Sequence, residues 1–153
     1  MPLLYNCTFK VALLCYFFIL MLMKNFVVPG KNAHIVYINP IITFFASISC
    51  YSSVIPLVIM DVFLWQFQNI YFRLMEIPLI QRRKYVIFDR FRLGKLTFSQ
   101  KFNCFYCEYA NGIVGYAKAV VNQMELYSCA IKHELHPLGQ EHQKDFFERE
   151  KFE

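Results

Sequence analysis

The first half of the chain carries two long apolar stretches, which predict helices. The second stretch, residues 41–60, reads IITFFASISCYSSVIPLVIM and contains no Asp, Glu, Lys or Arg. A stretch of this length suits a helix that crosses a hydrocarbon core of about 30 Å. The apolar pattern continues to about residue 64 before polar residues interrupt it. We predict a membrane-spanning helix over residues 41–64, with Asp61 near its end at headgroup level.

The first apolar stretch, residues 11–23, is bounded by Lys10 and Lys24. Its length matches the core of a signal peptide, but large residues stand where a cleavage site needs small ones. Extension to Val28 gives a span that contains one lysine, which can snorkel to the headgroups. We therefore predict a first, uncleaved transmembrane helix over residues 11–28.

Helical periodicity returns in the second half of the chain. Apolar residues recur at intervals of three and four over residues 113–127, which is typical of an amphipathic helix. We expect a basic amphipathic helix over residues 90–102, capped by Asp89. A short strand is expected over residues 85–88. The predicted fold class is mainly α, with two N-terminal transmembrane helices and a small cytoplasmic helical domain that holds one short strand or hairpin.

Composition agrees with a membrane location. The chain is 57% hydrophobic and 18% charged, whereas soluble domains contain about 45–50% apolar and about 25% charged residues. Its mean hydropathy is +0.33. The 17 Phe and 10 Tyr exclude disorder for most of the chain. Six cysteines are too few for a secreted disulfide scaffold.

Basic residues cluster in one segment. Residues 73–101 hold eight of the 16 Lys and Arg against two acids, and the positive-inside rule places such a segment in the cytoplasm. We expect Arg82, Arg83 and Lys84 to contact anionic lipid headgroups. Aromatic residues interleave with these charges, as in nucleic-acid binders. Membrane proximity already explains the charges, so a nucleic-acid partner is disfavoured.

These changes of composition divide the chain into four parts. We predict a membrane anchor over residues 1–75, which contains both spans. A basic juxtamembrane segment follows over residues 76–101, and a helical domain rich in Cys and His over residues 102–138. The last part, residues 139–153, carries eight charges and is predicted to be a frayed, solvated helix.

A C-x2-C-x21-C-x3-H pattern is the clearest chemical motif. It is formed by Cys104, Cys107, Cys129 and His133, and three thiolates with one imidazole make a closed, structural zinc site. Thiols stay reduced in the cytoplasm, where paired cysteines indicate metal binding or catalysis rather than a disulfide. His136 is a spare ligand on the same helix face. An iron–sulfur cluster could use the same three thiolates.

Geometry sets a condition on this shared site. An unbroken helix from Gly112 to Cys129 would be about 26 Å long, whereas the four residues before Gly112 reach only about 14 Å. One shared ion therefore requires a break, near residues 111–115 or 122–123. Without it, the two pairs serve separate sites or meet across a dimer. A redox CxxC pair and ordinary packing cysteines are the alternatives, and Cys7, Cys15 and Cys50 are assigned to packing.

Four segments together carry a joint pattern: Ile77-Pro78, RRKYVIFDR at 82–90, NCFYCEYANG at 103–112 and ELYSCAIKH at 125–133. The pattern resembles a family of small, uncharacterised bacterial membrane proteins, with a hydrophobic N-terminal region and FDR, NC-x-YC-x-Y-x-NG and Y-W-C-P-I-K-H motifs. The resemblance covers about residues 60–133 and implies a bacterial inner-membrane location. The matching residues are Asp89, Arg90, Cys104, Cys107, Tyr109, Asn111, Gly112, Cys129, Lys132 and His133. Ser128 and Ala130 depart from it, since Trp and Pro are usual there.

No catalytic signature accompanies the cysteines. The sequence has no G-x-S-x-G, P-loop, dinucleotide fingerprint or HExxH. We predict a non-enzymatic structural or interaction protein of the membrane with a zinc-stabilised cytoplasmic domain. The alternative is a membrane-tethered thiol redox or metal-handling protein, for which Cys104 and Cys107 should be exposed with a lowered pKa.

Overall fold

The computed structural model describes residues 40–135 and 138–153, and of Pro40 and Thr43 it describes the backbone alone. The predicted span over residues 11–28 lies outside the described residues, as do Cys7, Cys15 and His136. Every long element in the described part is helical. The prediction of a mainly α chain is therefore confirmed for these residues.

One long helix contains the second apolar stretch. Helix α1 covers Pro40–Ser52, α2 covers Val54–Phe67, and a π-helical turn continues it over Gln68–Phe72. Pro56 has no N–H to donate to the carbonyl of Ser52, and the regular α-helix is interrupted between α1 and α2. Phe44–Phe72 is the one helix in the described part that is long and apolar enough to cross a membrane. We call this stretch the apolar helix.

The second long helix, α3, covers Phe98–Ser128 without a break. It begins with a capping box in which the Thr97 N–H donates to Gln100 Oε1 at 3.0 Å. The Gln100 N–H donates back to Thr97 Oγ1 at 3.3 Å. The helix expected over residues 90–102 is wrong, because only a 3-10 turn forms at Arg90–Arg92. The Asp89 side chain makes no cap there, and the capping box sets the helix start at Phe98.

The strand expected over residues 85–88 is also wrong. Tyr85 closes a 3-10 turn at Arg82–Lys84, and no strand forms in the described ranges. An isolated parallel bridge joins Ile131 to Phe147. The helix predicted over residues 139–153 is wrong too, because short 3-10 turns replace it. Phe146 is buried, at 4% exposed, whereas residues 147–153 are all exposed to solvent.

Two compact units can be described separately. Of the described residues, the first unit contains 40–54 together with Phe88–Glu108, and the second contains Ile55–Ile87 together with 109–135 and 138–153. In the first unit, the Tyr51 ring lies 5.5 Å from the rings of Phe102 and Tyr106. The second unit has a core of Phe72, Ile77, Tyr116 and Val120, flanked by Leu64, Phe67, Tyr71, Ile80 and Met124.

Candidate functional site

A bidentate ion pair in the second unit joins the apolar helix to the basic segment. Arg82 donates from Nε to Asp61 Oδ1 at 2.9 Å and from Nη2 to Oδ2 at 2.6 Å. The Asp61 side chain is only 16% exposed, although it stands on an otherwise apolar helix. Two parallel bonds between guanidinium and carboxylate fix orientation as well as charge. Arg82 is therefore engaged by Asp61, although the sequence assigned it to lipid headgroups.

Tyr109 on α3 completes this cluster. Its hydroxyl donates to Asp61 Oδ2 at 3.2 Å. Burial, followed by the charge of Asp61 and the hydrogen bond to it, raises the pKa of Tyr109. The phenol consequently stays protonated at neutral pH and remains a donor. Asp61 thus receives hydrogen bonds from two different parts of the second unit, and neither was predicted from the sequence.

A buried amide fixes the next stretch of the connecting chain. Gln68 is 4% exposed, and its Nε2 donates to the Tyr116 hydroxyl. Its Oε1 accepts the Ile80 N–H at 2.7 Å. A buried amide is costly unless both its ends are bonded, and here both are. Gln68 therefore attaches residues 77–87, which we call the connecting segment, to the apolar helix and to α3.

A close backbone approach explains why glycine stands at position 112. A Cβ on Gly112 would lie 2.8 Å from the Tyr85 carbonyl oxygen and 2.9 Å from Val86 Cα. These are backbone atoms, so neither can rotate away. Gly115, one turn later, would place its Cβ 3.6 Å from the Tyr85 ring, which is an ordinary contact. Gly112 is thus the point at which the connecting segment rests on α3.

In the first unit a buried carboxylate holds a basic turn. The Glu108 side chain is 5% exposed, and its Oε1 accepts the backbone N–H groups of Asp89 at 3.3 Å and Arg90 at 2.9 Å. The Arg90 guanidinium Nε lies 3.8 Å from the same oxygen. Oε2 is buried without a hydrogen-bond partner. Glu108 therefore acts as the N-terminal anchor of the 3-10 turn at Arg90–Arg92.

The predicted zinc ligands are not brought together in the described part of the chain. Cys104 and Cys107 lie within α3 in the first unit, whereas Cys129 and His133 follow α3 in the second. The break that a shared site requires is not present in α3. No group of three His, Cys, Asp or Glu side chains that could hold an ion occurs in residues 40–135 and 138–153. The four-ligand zinc site stays a prediction without support from this geometry.

The thiol redox alternative has only part of its expected environment, because Cys107 is exposed and Cys104 is half-buried, but the pKa of Cys107 is not lowered. Burial, then the neighbouring thiols of Cys50 and Cys104, raise the pKa of Cys107. The pair lies in the second and third turns of α3 rather than at its N-terminus, where a helix lowers thiol pKa values. Cys50 is assigned to packing from its apolar surroundings in the sequence, and its proximity to Cys107 was not predicted because the two lie more than fifty positions apart. The one neighbour of Cys50 in the sequence that indicates a contact here is Tyr51, whose hydroxyl donates to Asn103 Oδ1.

The end of the chain forms a separate polar cluster. His142 Nε2 lies 2.7 Å from Glu125 Oε2, and Gln143 Nε2 donates to Glu125 Oε1 at 3.1 Å. Arg149, which lies near His133, is paired with two acids. Its Nη1 lies 3.2 Å from Glu134 and its Nη2 lies 3.0 Å from Glu153. The Glu125 contacts tie His142 and Gln143 to the end of α3, whereas the Arg149 pairs lie within residues 134–153.

Comparison with protein families, with curated proteins and with solved structures finds no match to this chain. The resemblance to bacterial membrane proteins therefore stays a prediction. Function is inferred from the geometry and the sequence alone.

Proposed function

We propose that the chain is an integral membrane protein, anchored by the apolar helix, with a structural or interaction role and no catalysis. The observation that carries the proposal is the exposure of large apolar side chains along this helix. They include Phe44, Phe45, Ile48, Ile55, Val58, Ile59, Val62, Phe63, Trp65 and Ile70, each at least 44% exposed. Apolar patches of this extent are rare on soluble monomers and mark membrane or protein contacts.

The length of the helix supports the same proposal. Its 29 residues correspond to about 43 Å at 1.5 Å per residue, against a hydrocarbon core of about 30 Å. Residues 44–60 carry no charge, so we assign this part to the hydrocarbon. Ser52 and Ser53 donate their hydroxyls to carbonyls three residues back, at 2.8 and 2.7 Å. Such internal bonds remove the cost of polar groups in lipid.

The part from Asp61 onwards suits the boundary of the bilayer. Asp61 is neutralised by Arg82, and Gln68 supports an irregular connecting segment. Irregular backbone is not stable against hydrocarbon, so we assign this part to the headgroup level. By the positive-inside rule we propose that the basic segment faces the cytoplasm. The resemblance to small bacterial membrane proteins leads us to propose that the membrane is a bacterial inner membrane.

The proposed headgroup contacts differ from those expected from the sequence. Arg83 and Lys84 are exposed, whereas Arg82 is occupied by Asp61. We therefore propose that Arg83 and Lys84 contact anionic lipid in this turn and that Arg82 does not. A nucleic-acid partner is not favoured, because Phe88 stacks on Phe105 at 4.5 Å, which occupies one of the two ring faces on which a base would stack.

Several polar groups near the apolar helix make internal contacts, which favours a structural role. Asp61, Gln68 and Glu108 each hold another part of their own unit. We do not propose zinc binding, because no cluster in the described part of the chain holds three ligands. We do not propose thiol redox chemistry, because the pKa of Cys107 is raised.

Alkaline carbonate extraction of membranes that contain the full chain tests the anchoring. We expect the wild-type chain to stay in the membrane pellet, and so should a variant that lacks the predicted first span, residues 11–28. In that shortened chain, Val58→Lys/Ile59→Lys should release the protein from the pellet. Each lysine near a helix centre costs about 2.5–3.5 kcal/mol of insertion free energy. Leu126→Lys is the matched control, because Leu126 is 49% exposed and Ile59 is 52% exposed. A wild-type chain released as a soluble monomer would contradict the proposal.

A further inference from the structure

The start of α3 lies beside the middle of the apolar helix in the first unit. Ser53 Oγ lies 2.6 Å from the Tyr106 hydroxyl, and the Tyr51 hydroxyl donates to Asn103 Oδ1. Both contacts are near the midpoint of residues 44–60, which the proposed function assigns to the hydrocarbon. The first turns of α3 are therefore level with hydrocarbon rather than with headgroups.

The chain that precedes α3 is held at the same level. Glu108 Oε1 accepts the Arg90 N–H at 2.9 Å, and the Lys101 ammonium lies 5.2 Å from the centroid of the Phe91 ring. On α3, these two contacts bracket the side chains that bond to the apolar helix. The turn at Arg90–Arg92 consequently lies beside hydrocarbon as well.

Two basic side chains on this part of the chain have no acidic partner. Arg92 and Lys95 are exposed, and neither forms an ion pair within the described residues. Phe91 is 54% exposed and Leu93 is 53% exposed beside them. We call these four residues the basic flank.

Lipid is a poor environment for this flank. Basic side chains within the hydrocarbon are costly, and they almost always face protein or a water-filled cavity and pair with an opposite charge. The boundary of the hydrocarbon lies about 15 Å from its midpoint, which is farther than an Arg or Lys side chain extends. The flank therefore requires a protein partner.

Charge selects an acidic partner for the basic flank. The first unit carries four basic and two acidic side chains in its described residues, an excess that equals the two unpaired bases. The first 39 residues of the chain contain no Asp or Glu, so the predicted span over residues 11–28 brings no carboxylate. A second copy would add the same excess of positive charge.

We infer that the basic flank docks a transmembrane segment of another protein, an apolar helix that carries a carboxylate near its midpoint. Phe91 and Leu93 pack against its apolar residues, and Arg92 and Lys95 pair with the carboxylate. The inference rests on the proposed function, because it takes the middle of the apolar helix to lie in hydrocarbon, and it deepens that proposal by naming the partner. Residues 73–87 keep four basic side chains, which still satisfy the positive-inside rule.

Two synthetic transmembrane peptides test the inference with the full chain. Each is a helix of about 20 Leu and Ala residues, with one central Glu or one central Gln and a dansyl group at one end. The chain is reconstituted with each peptide in phosphatidylcholine vesicles, and energy transfer from Trp65, its single tryptophan, reports association. We expect the Glu peptide to bind about tenfold more tightly than the Gln peptide, since close charge pairs shielded from water contribute at least this much.

Charge variants separate pairing at the flank from a general effect of net charge. Arg92→Gln with Lys95→Gln should abolish the preference for the Glu peptide. Lys118→Gln with Lys144→Gln removes the same charge from exposed positions of the second unit and should leave the preference unchanged. Arg92→Glu with Lys95→Glu should instead prefer a peptide with a central Lys, which distinguishes lost pairing from lost folding.

The native Trp65 also reports anchoring, because it lies on the apolar helix. Equal binding of the Glu and Gln peptides, by a chain whose Trp65 is quenched by brominated phosphatidylcholine, would overturn the inference and leave the proposed function standing. A preference that disappears when phosphatidylglycerol is added would assign the flank to lipid phosphates instead. Copies that cross-link without peptide, but not after Arg92→Gln/Lys95→Gln, would assign it to a second copy. A Trp65 that brominated lipid does not quench would contradict the proposed function itself.

Discussion

Two short 3-10 turns, Arg82–Lys84 and Arg90–Arg92, lie in the basic segment, and each is fixed by one carboxylate. Asp61 binds the guanidinium of Arg82 itself, at 2.6 and 2.9 Å. Glu108 instead binds backbone N–H groups at the start of the other turn. The first acid neutralises a base, whereas the second mainly orders a turn. The number of basic residues therefore does not give the charge that is available to a partner.

The largest expected effect on the free energy of unfolding comes from Gly112, on which the chain following the first turn rests. Gly112→Ala would place a Cβ within 3 Å of the backbone at Tyr85 and Val86, and overpacking of this kind costs about 1–3 kcal/mol. Gly115→Ala meets an ordinary contact at 3.6 Å and should stabilise α3 by about 0.5–1 kcal/mol. Thermal unfolding in detergent measures both. Equal effects of the two substitutions would contradict the close approach at Gly112.

The second prediction concerns how Glu108 acts. Glu108→Ala removes the acceptor of two backbone N–H groups and should cost about 2 kcal/mol. Glu108→Gln keeps an oxygen acceptor, so it should cost less than half as much if the backbone is what Glu108 holds. Chemical denaturation of both variants in detergent gives the comparison. Equal losses would instead indicate that the negative charge of Glu108 matters most.

The third prediction tests the pairing of Asp61 with Arg82. A double-mutant cycle of Asp61→Asn and Arg82→Gln should give a coupling free energy of about 1 kcal/mol, since the guanidinium is 43% exposed and partly screened. Arg83→Gln with Asp61→Asn is the matched control and should show no coupling. A coupling for Arg82 as small as that of the control would mean that the pair does not fix the turn.

The smallest predicted effect is a pH dependence at Tyr109. Its folded-state pKa is raised above the ordinary value of 10.0 by burial and then by Asp61. The stability from this group is present below pH 10 and is lost as the pH rises through the folded-state pKa. Tyr109→Phe should therefore reduce the alkaline loss of stability. Tyr127→Phe, at the exposed end of α3, serves as the control, and the thermal midpoint is followed above neutral pH.

Local patterns predicted the long elements well. The charge-free stretch before Asp61 predicts the apolar helix, and the periodicity of residues 113–127 predicts much of α3. The start of α3 was also readable, because Thr97 and Gln100 have capping-box spacing. Asp89 is also of a residue type that caps helices, so the sequence offers two possible starts, at Asp89 and at Thr97. Only the backbone bonds that Glu108 accepts distinguish them.

The site could not be read in the same way. Asp61 and Arg82 are 21 positions apart, and Gln68 and Tyr116 are 48 positions apart. Such pairs depend on how elements pack, and one sequence does not record this. The cysteine spacing suggested one zinc site, yet two of its ligands lie in the early turns of an unbroken α3 and the other two follow the end of that helix. The spacing therefore predicted a shared metal site, but the described helix does not bring its ligands together.

Alkylation of the native thiols in open membrane fragments tests the central account most directly. The free thiols of the described part include Cys50 in the apolar helix and the exposed Cys129 after α3. With a membrane-impermeant maleimide and peptide mass spectrometry, we predict rapid modification of Cys129, unchanged by a metal chelator. Cys50 should react only after detergent is added. Equal modification of the two thiols in intact bilayers would contradict the membrane anchor, and a Cys129 that reacts only after chelation would restore the zinc site.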